Sequence, residues 1–269
     1  MKRNKFLTFI LILGLIIVNP AFANEKIKTI NDKAGIYIFK INTKKYGDKI
    51  KPYVTQRLTT PKQVYENNSF DLVVNAGFFD VKNGKSVSYV TIDNKEVENV
   101  EKNEQLVSNL TKQRRLKQVL SRGEFRVLEN KRHKLKFDIA RHGAPVKRGY
   151  VIKHLLQGGP IISPSMDLAG EGFVVYYDGV LKQQSADILK RRERTAIGLK
   201  GKYLYIVIFT KEHKVDANEL SEYMKKNLKI KKALAFDGGL STAINTSDVS
   251  IGSLGRGQRK VKSFLIIER

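Results

Sequence analysis

Three apolar runs in this chain end in a polar residue that leads at once into glycine: SFDLVVNAGFFD (69–80), LLQGGPIIS (155–163) and KKALAFDGGLSTAI (231–244). Each run has the length and composition of a short buried strand. Glycine just beyond a strand permits positive φ and lets another backbone or a ligand come close. One such corner is an ordinary turn. Three of them, together with RERTAIG (192–198), predict loops that converge on one pocket at one edge of a sheet. Strand ends of this kind are where α/β folds often place functional groups.

The remaining pattern fills in the elements between the corners. GIYIFKI (35–41) alternates as a half-buried strand does, and EFRVLENKRHKLKFDIA (124–140) reads as a hairpin with its turn near Glu-Asn-Lys. GFVVYYDG (172–179) ends in an Asp-Gly turn signal, and RTAIGLKGKYLYIVIF (194–209) reads as two strands around Lys-Gly-Lys. Within the highly charged stretch 94–121, Leu116, Val119 and Leu120 share one side of an expected helix. DANELSEYMKKNL (216–228) opens on Asp216 and Glu219, a capping box with Asp as N-cap, and sets Leu220, Tyr223, Met224 and Leu228 on one face. That helix joins the strand at 203–209 to the strand at 233–236, which predicts parallel neighbours and a right-handed βαβ unit near the C-terminus. The expected class is α+β, a large mixed β-sheet with packed helices.

Composition limits the function classes. MKRNK, then FLTFILILGLIIV, then NPAFA form the basic, apolar and Ala-x-Ala segments of a secretory signal peptide, with cleavage expected after Ala23. The apolar segment falls short of the roughly 20 residues that span a bilayer. Residues 24–269 are expected to form a single domain, and an exported protein released to the periplasm or beyond. Cysteine is absent, which removes disulfides, thiolate catalysis, cysteine zinc sites and a lipoprotein anchor. Fifty Lys and Arg against 26 Asp and Glu give a net charge of +24, a field that suits anionic partners such as phosphate-bearing envelope polymers or an anionic membrane surface. The competing reading is solvated lysine spread along the chain. No recognition helix, RNP motif or zinc knuckle supports a nucleic-acid partner. His133, His142, His154 and His213 form no i, i+4 pair and no H-x-H motif, so a histidine metal site is not expected.

NAGFFD, QGGPII, RTAIG and FDGGLST resemble, in order, the landmarks of the phosphodiester glycosidase domain, over about residues 70–269 with 30–69 as leading strands. One departure stands out: Ala76 occupies the position where the family commonly has the first glycine of Asn-Gly-Gly-Phe, and it keeps the loop if its φ is negative. The resemblance implies hydrolysis of a sugar 1-phosphodiester at the glycosidic bond, without a required cofactor. Such chemistry passes through an oxocarbenium-like state and normally uses two carboxyl groups. A phosphate leaving group needs little acid assistance and more neutralisation of its charge. On this basis Asp237 is the expected base or nucleophile, Asp80 a second carboxyl, and Arg194 the cation facing the phosphate. Asn75 would hold the sugar or orient Asp237. Gly77, Gly158, Gly159, Thr195, Gly238, Gly239, Ser241 and Thr242 are expected to line the substrate site, the last two as hydroxyl ligands of the phosphate. A calcium or magnesium ion between Asp237 and Asp80 is left open.

Each residue also has a plain structural reading. Asn75 and Asp80 suit turns, Ser241 and Thr242 suit a helix cap, and Arg191 and Arg192 suit solvated charge. The rival function is a non-catalytic module that binds anionic envelope polymers or membranes through net charge.

Overall fold

The computed structural model describes residues 26–253 and 257–269. The expected signal peptide lies outside the described residues. In chain order the strands are β1 (Ile27–Lys33), β2 (Ile36–Asn42), β3 (Ile50–Thr59), β4 (Phe70–Asn75), β5 (Val90–Ile92), β6 (Lys95–Glu98), β7 (Gly123–Asn130), β8 (Leu135–Arg141) and β9 (Tyr150–Gln157). They continue with β10 (Ile161–Ser163), β11 (Val174–Tyr177), β12 (Val180–Gln184), β13 (Arg194–Lys200), β14 (Tyr203–Phe209), β15 (Lys232–Ala235), β16 (Ala243–Thr246), β17 (Ser250–Gly252) and β18 (Val261–Glu268). Among the described residues five short α-helices interrupt them: α1 (Thr43–Tyr46), α2 (Pro61–Glu66), α3 (Glu104–Lys112), α4 (Leu116–Leu120) and α5 (Ala217–Glu222). The class is α+β, as the pattern predicts.

The strands divide among three larger sheets and one ribbon, not one mixed sheet. Their orders are β1-β2-β14-β13-β15-β10, β17-β16-β4-β18-β3 and β6-β5-β9-β7-β8, with β11-β12 standing apart. The inner faces of all three sheets meet in one core: Phe39, Ile50, Leu72, Val90, Phe125, Ile206, Leu234 and Leu265 are all essentially inaccessible to solvent. Each such side chain contributes about 1.5–3 kcal/mol when fully buried, which is how a chain without cross-links holds together. β2 and β3, which precede the motif region, supply Phe39, Ile41 and Ile50 to this core.

Both hairpins expected from turn chemistry form. β7 pairs with β8 from Gly123–Arg141 to Glu129–Leu135, and β13 pairs with β14 along its whole length around Gly201, whose φ is +60°. The Asp178-Gly179 turn of β11-β12 has positive φ at both residues, the geometry that fits a right-twisted ribbon.

α5 begins as its capping box dictates. The Asp216 carboxylate accepts from the N–H groups of Asn218 and Glu219, and Glu219 accepts from Asp216 N at 2.9 Å. The helix continues through a π turn at Tyr223–Asn227. Leu220 and Met224 seal it against Ala196, Val207 and Ala233 on the outer face of the first sheet. Gly198 of β13 permits that approach, since a Cβ there would lie 2.6 Å from Ile230 Cγ2.

One expectation is corrected here. β14 and β15, which α5 connects, are not paired neighbours; both pair antiparallel with β13, which lies between them. The tight Lys-Gly-Lys hairpin places β14 on one edge of β13, so the crossover lands on the other. The charged stretch 94–121 holds β6 and two helices, broken at Arg114 in the left-handed region (φ +54°), and the helices cover the outer face of the third sheet.

Candidate active site

The glycine corners do meet, and Asn75 ties them. Its side chain is fully buried at the end of β4. Nδ2 donates to the Asp237 carbonyl at 2.6 Å, while Oδ1 accepts from Thr195 Oγ1 at 2.7 Å and from Ala243 N at 3.1 Å. Main-chain bonds complete the rim. Asp237 N donates to Ala76 O, Phe236 N to Thr195 O, Gly159 N to Ala235 O and Gly239 N to Glu193 O, each at 2.8 Å. Four chain segments remote in sequence are thereby fixed at one end of the core. Ala76 is accommodated without positive φ, so the loop survives the loss of glycine.

Beside this knot lies a cleft of about 570 Å³, lined by Asp237, Gly238, Gly239, Glu193, Arg192, Lys214 and Arg259, among others. Burial pushes the Asp237 carboxyl up from 3.8 to about 6, against the opposing pull of Ser241, Arg259, the Gly238 N–H and Arg194. An acid buried this way still reaches the cleft, because Gly238 and Gly239 carry no side chain to cover it. The Ser241 hydroxyl is buried beside Asp237 and its hydrogen bond helps hold that carboxyl down, while the Thr242 hydroxyl is buried without a hydrogen-bond partner among the described residues.

The cations of the cleft are not equivalent. Arg192 donates twice to one oxygen of Asp187, at 3.0 and 2.8 Å, and Lys214 sits 3.6 Å from Glu193. Arg259 has no ion pair among the described residues; its guanidinium lies 5.5 Å from the centre of the Phe79 ring. Outside the cleft lining, the buried Arg122 is within electrostatic reach of Asp237 and stacks 4.0 Å from the Phe173 ring centre. Its Nε donates to Glu171 O at 3.0 Å, and no partner for its two Nη groups exists among the described residues. Burial lowers its pKa to about 10, which leaves it charged at neutral pH.

Several predicted roles change. Arg194 is not a free phosphate ligand. Its guanidinium is buried and donates to the carbonyls of Val215 (3.1 Å), Ala186 (3.3 Å), Asp187 (2.8 Å) and Lys190 (2.7 Å). It clamps the turn in which Ala186 and Asp187 hold positive φ, conformations costly for residues other than glycine. Asp80 is not a cleft carboxyl either: Oδ1 accepts from Lys82 N at 2.9 Å, and the residue shapes its own turn. The other carboxyl groups lining the cleft are Glu193 and Asp187, the latter held by Arg192. Gly77, Gly158, Gly159 and Thr195 are packing residues of the rim. A Cβ on Gly77 would fall 2.7 Å from Ser88 Oγ, and one on Gly158 would fall 2.7 Å from Ala235 O. Gly159 takes φ +113°. Ser241 and Thr242 cap no helix: a single 3-10 turn at Gly239–Ser241 runs straight into β16.

Sequence reasoning passes over Arg122, Arg259 and Glu193 as site residues. Arg122 carries a visible signal, since it stands directly before a glycine and an apolar strand in SRGEFRV, just as Arg194 stands before TAIG. Arg259 lies in the loop sequence GRGQRK and shows none beyond its charge. The histidines stay out of the cleft. His154 is buried in β9 and held neutral, its pKa pushed down to about 4 mainly by burial. His142 pairs with Glu124 at 2.5 Å and stacks on Tyr89. Among the described residues no three His, Asp or Glu gather as a metal cluster.

No curated protein sequence matches the chain. Solved structures do. The zebrafish N-acetylglucosamine-1-phosphodiester alpha-N-acetylglucosaminidase catalytic domain, auto-inhibited by its pro-peptide, aligns with a TM-score of 0.60 at 12% identity over 90% of this chain and 81% of that one. An exported protein from Burkholderia pseudomallei aligns with a TM-score of 0.61 at 11% identity over 87% and 74%. At such identities the likeness is one of fold. The family model of phosphodiester glycosidases matches residues 68–268, a span that runs from β4 through the Asp237 corner to β18. The chain therefore belongs to the phosphodiester glycosidase family.

Proposed function

We propose that this protein is an exported hydrolase that cleaves the glycosidic bond of a sugar 1-phosphodiester in an anionic surface glycan. The observation that carries the reading is an ionisable Asp237 at the floor of a cleft whose unpaired cation is Arg259. The substrate phosphate lies toward Arg259 and Arg122 and accepts from the Ser241 and Thr242 hydroxyls. Asp237, ionised above about pH 6, takes a proton from the attacking water. That water's oxygen bonds to the anomeric carbon, the carbon–oxygen bond to phosphate breaks, and the bonding pair leaves with the phosphomonoester. Phosphate departs as a weak base, so neutralisation by the two arginines substitutes for strong acid assistance. The basic and apolar N-terminal segment supports export, and the net charge of +24 favours an anionic substrate.

Hydrolysis in oxygen-18 water tests the bond that breaks. Label in the released sugar is the expected result, and label in the phosphate would replace this reading with a phosphodiesterase.

A further inference from the structure

A second cavity, of about 610 Å³, is lined in part by chain segments that also line the cleft. Its lining includes Lys62 from α2, Lys211 from the loop after β14, and Lys260 from the segment before β18. Two chain segments contribute residues to both. In the 210–214 loop, Thr210, Lys211 and Glu212 face this cavity while Lys214 faces the cleft. In the last segment Gln258 and Lys260 face the cavity and Arg259, between them, faces the cleft. The wall is held in place, since Gln258 accepts from Lys62 N at 2.7 Å and donates to Ile251 O at 2.7 Å.

The lysines are available to a ligand. Lys62 reaches Glu66 only at 3.6 Å and Lys211 reaches Glu212 only at 3.9 Å, exposed pairs of the kind that contribute little. Lys260 has no ion pair among the described residues. Glu212 is the one acidic residue of the lining and stays ionised, its pKa lowered by the Thr210 hydroxyl. Three ammonium groups around a concave polar site outweigh it.

We infer that this cavity is a second phosphate subsite, and that the substrate is a polymer of phosphodiester repeats which crosses the 257–260 wall from one cavity to the next. The inference rests on the hydrolytic reading above and names its substrate class. One phosphate is held at Arg259 for cleavage, and its neighbour along the polymer is held by Lys62, Lys211 and Lys260.

The probe is a dye-labelled oligo(glycerol phosphate) of about six units, read by fluorescence anisotropy across a salt series, because contacts to repeated phosphates make affinity fall with salt. The triple variant Lys62→Gln, Lys211→Gln, Lys260→Gln is expected to weaken binding about tenfold at low salt and to flatten the salt dependence. A control triple of exposed lysines elsewhere, Lys95→Gln, Lys112→Gln, Lys131→Gln, removes the same charge and is expected to change affinity by less than about twofold. Equal losses in the two triples, or no loss in the first, would overturn the subsite. Both triples should still release sugar from a diester with a single phosphate. If the wild-type protein releases none from any glycosyl diester, the hydrolytic reading fails, and the binding comparison separately decides whether the cavity holds phosphate.

Discussion

Asp237 carries an energetic cost that supports the role proposed for it. Its folded pKa of about 6 exceeds the ordinary 3.8, so the native state binds the proton more tightly than the unfolded chain. The penalty is therefore fully present above about pH 6, shrinks as pH falls from 6 toward 3.8, and is absent below. Its size is about 3 kcal/mol from the shift alone. Asp237→Asn should raise the melting temperature by several degrees at pH 7.5, with the gain disappearing near pH 4, and should abolish sugar release. Calorimetry at the two pH values reads this directly. Asn75→Ala, in contrast, leaves a hydroxyl, an amide N–H and a carbonyl unpaired in a buried place, and should cost about 3–5 kcal/mol in urea unfolding. Asp237 was legible in the sequence because an apolar strand, an acid and two glycines leave few other places for it. Arg194 was legible only as a cation at a strand entry. Which way its guanidinium turns depends on the 186–190 carbonyls, and nothing local in the sequence announces them.

At the scale of elements, turn chemistry and caps were readable because they are local. Lys-Gly-Lys, Asp-Gly and the Asp216–Glu219 box each determine their geometry within four residues. Asp216→Ala should cost about 1 kcal/mol through two lost cap bonds. The glycine corners were readable as corners but not as to cause. Gly77 is required by crowding from Ser88 and Ser263, whereas Gly239 has φ +59° in open space. Gly77→Ala should thus destabilise by about 1–3 kcal/mol, and Gly239→Ala by about 1 kcal/mol through backbone strain alone. An inverted order in chemical denaturation would contradict this account of the rim. The helix-cap alternative for Ser241 and Thr242 fails, because the residues that follow pair with β4 as a strand.

For the whole molecule, the partition into three sheets and the identity of strand neighbours escaped the sequence, because both depend on contacts far apart along the chain. The placement of β13 between β14 and β15 is such a case. It also shapes the site, since β13 brings Thr195 to Asn75 and Glu193, just before it, lines the cleft. In the proposed reading the net charge of +24 acts at this scale as well, favouring the approach of an anionic substrate to the cleft. The central claim is that one ionised aspartate, tuned by Arg259, drives glycosyl transfer to water. The pH dependence of kcat/KM for sugar release, measured for wild type and Arg259→Gln, tests it. Activity should rise through about pH 6 in the wild type. In the variant that limb should move to higher pH, because loss of the guanidinium removes a force that holds the Asp237 pKa down. A limb that stays in place in the variant, or a profile flat across pH 5–7, would contradict the account.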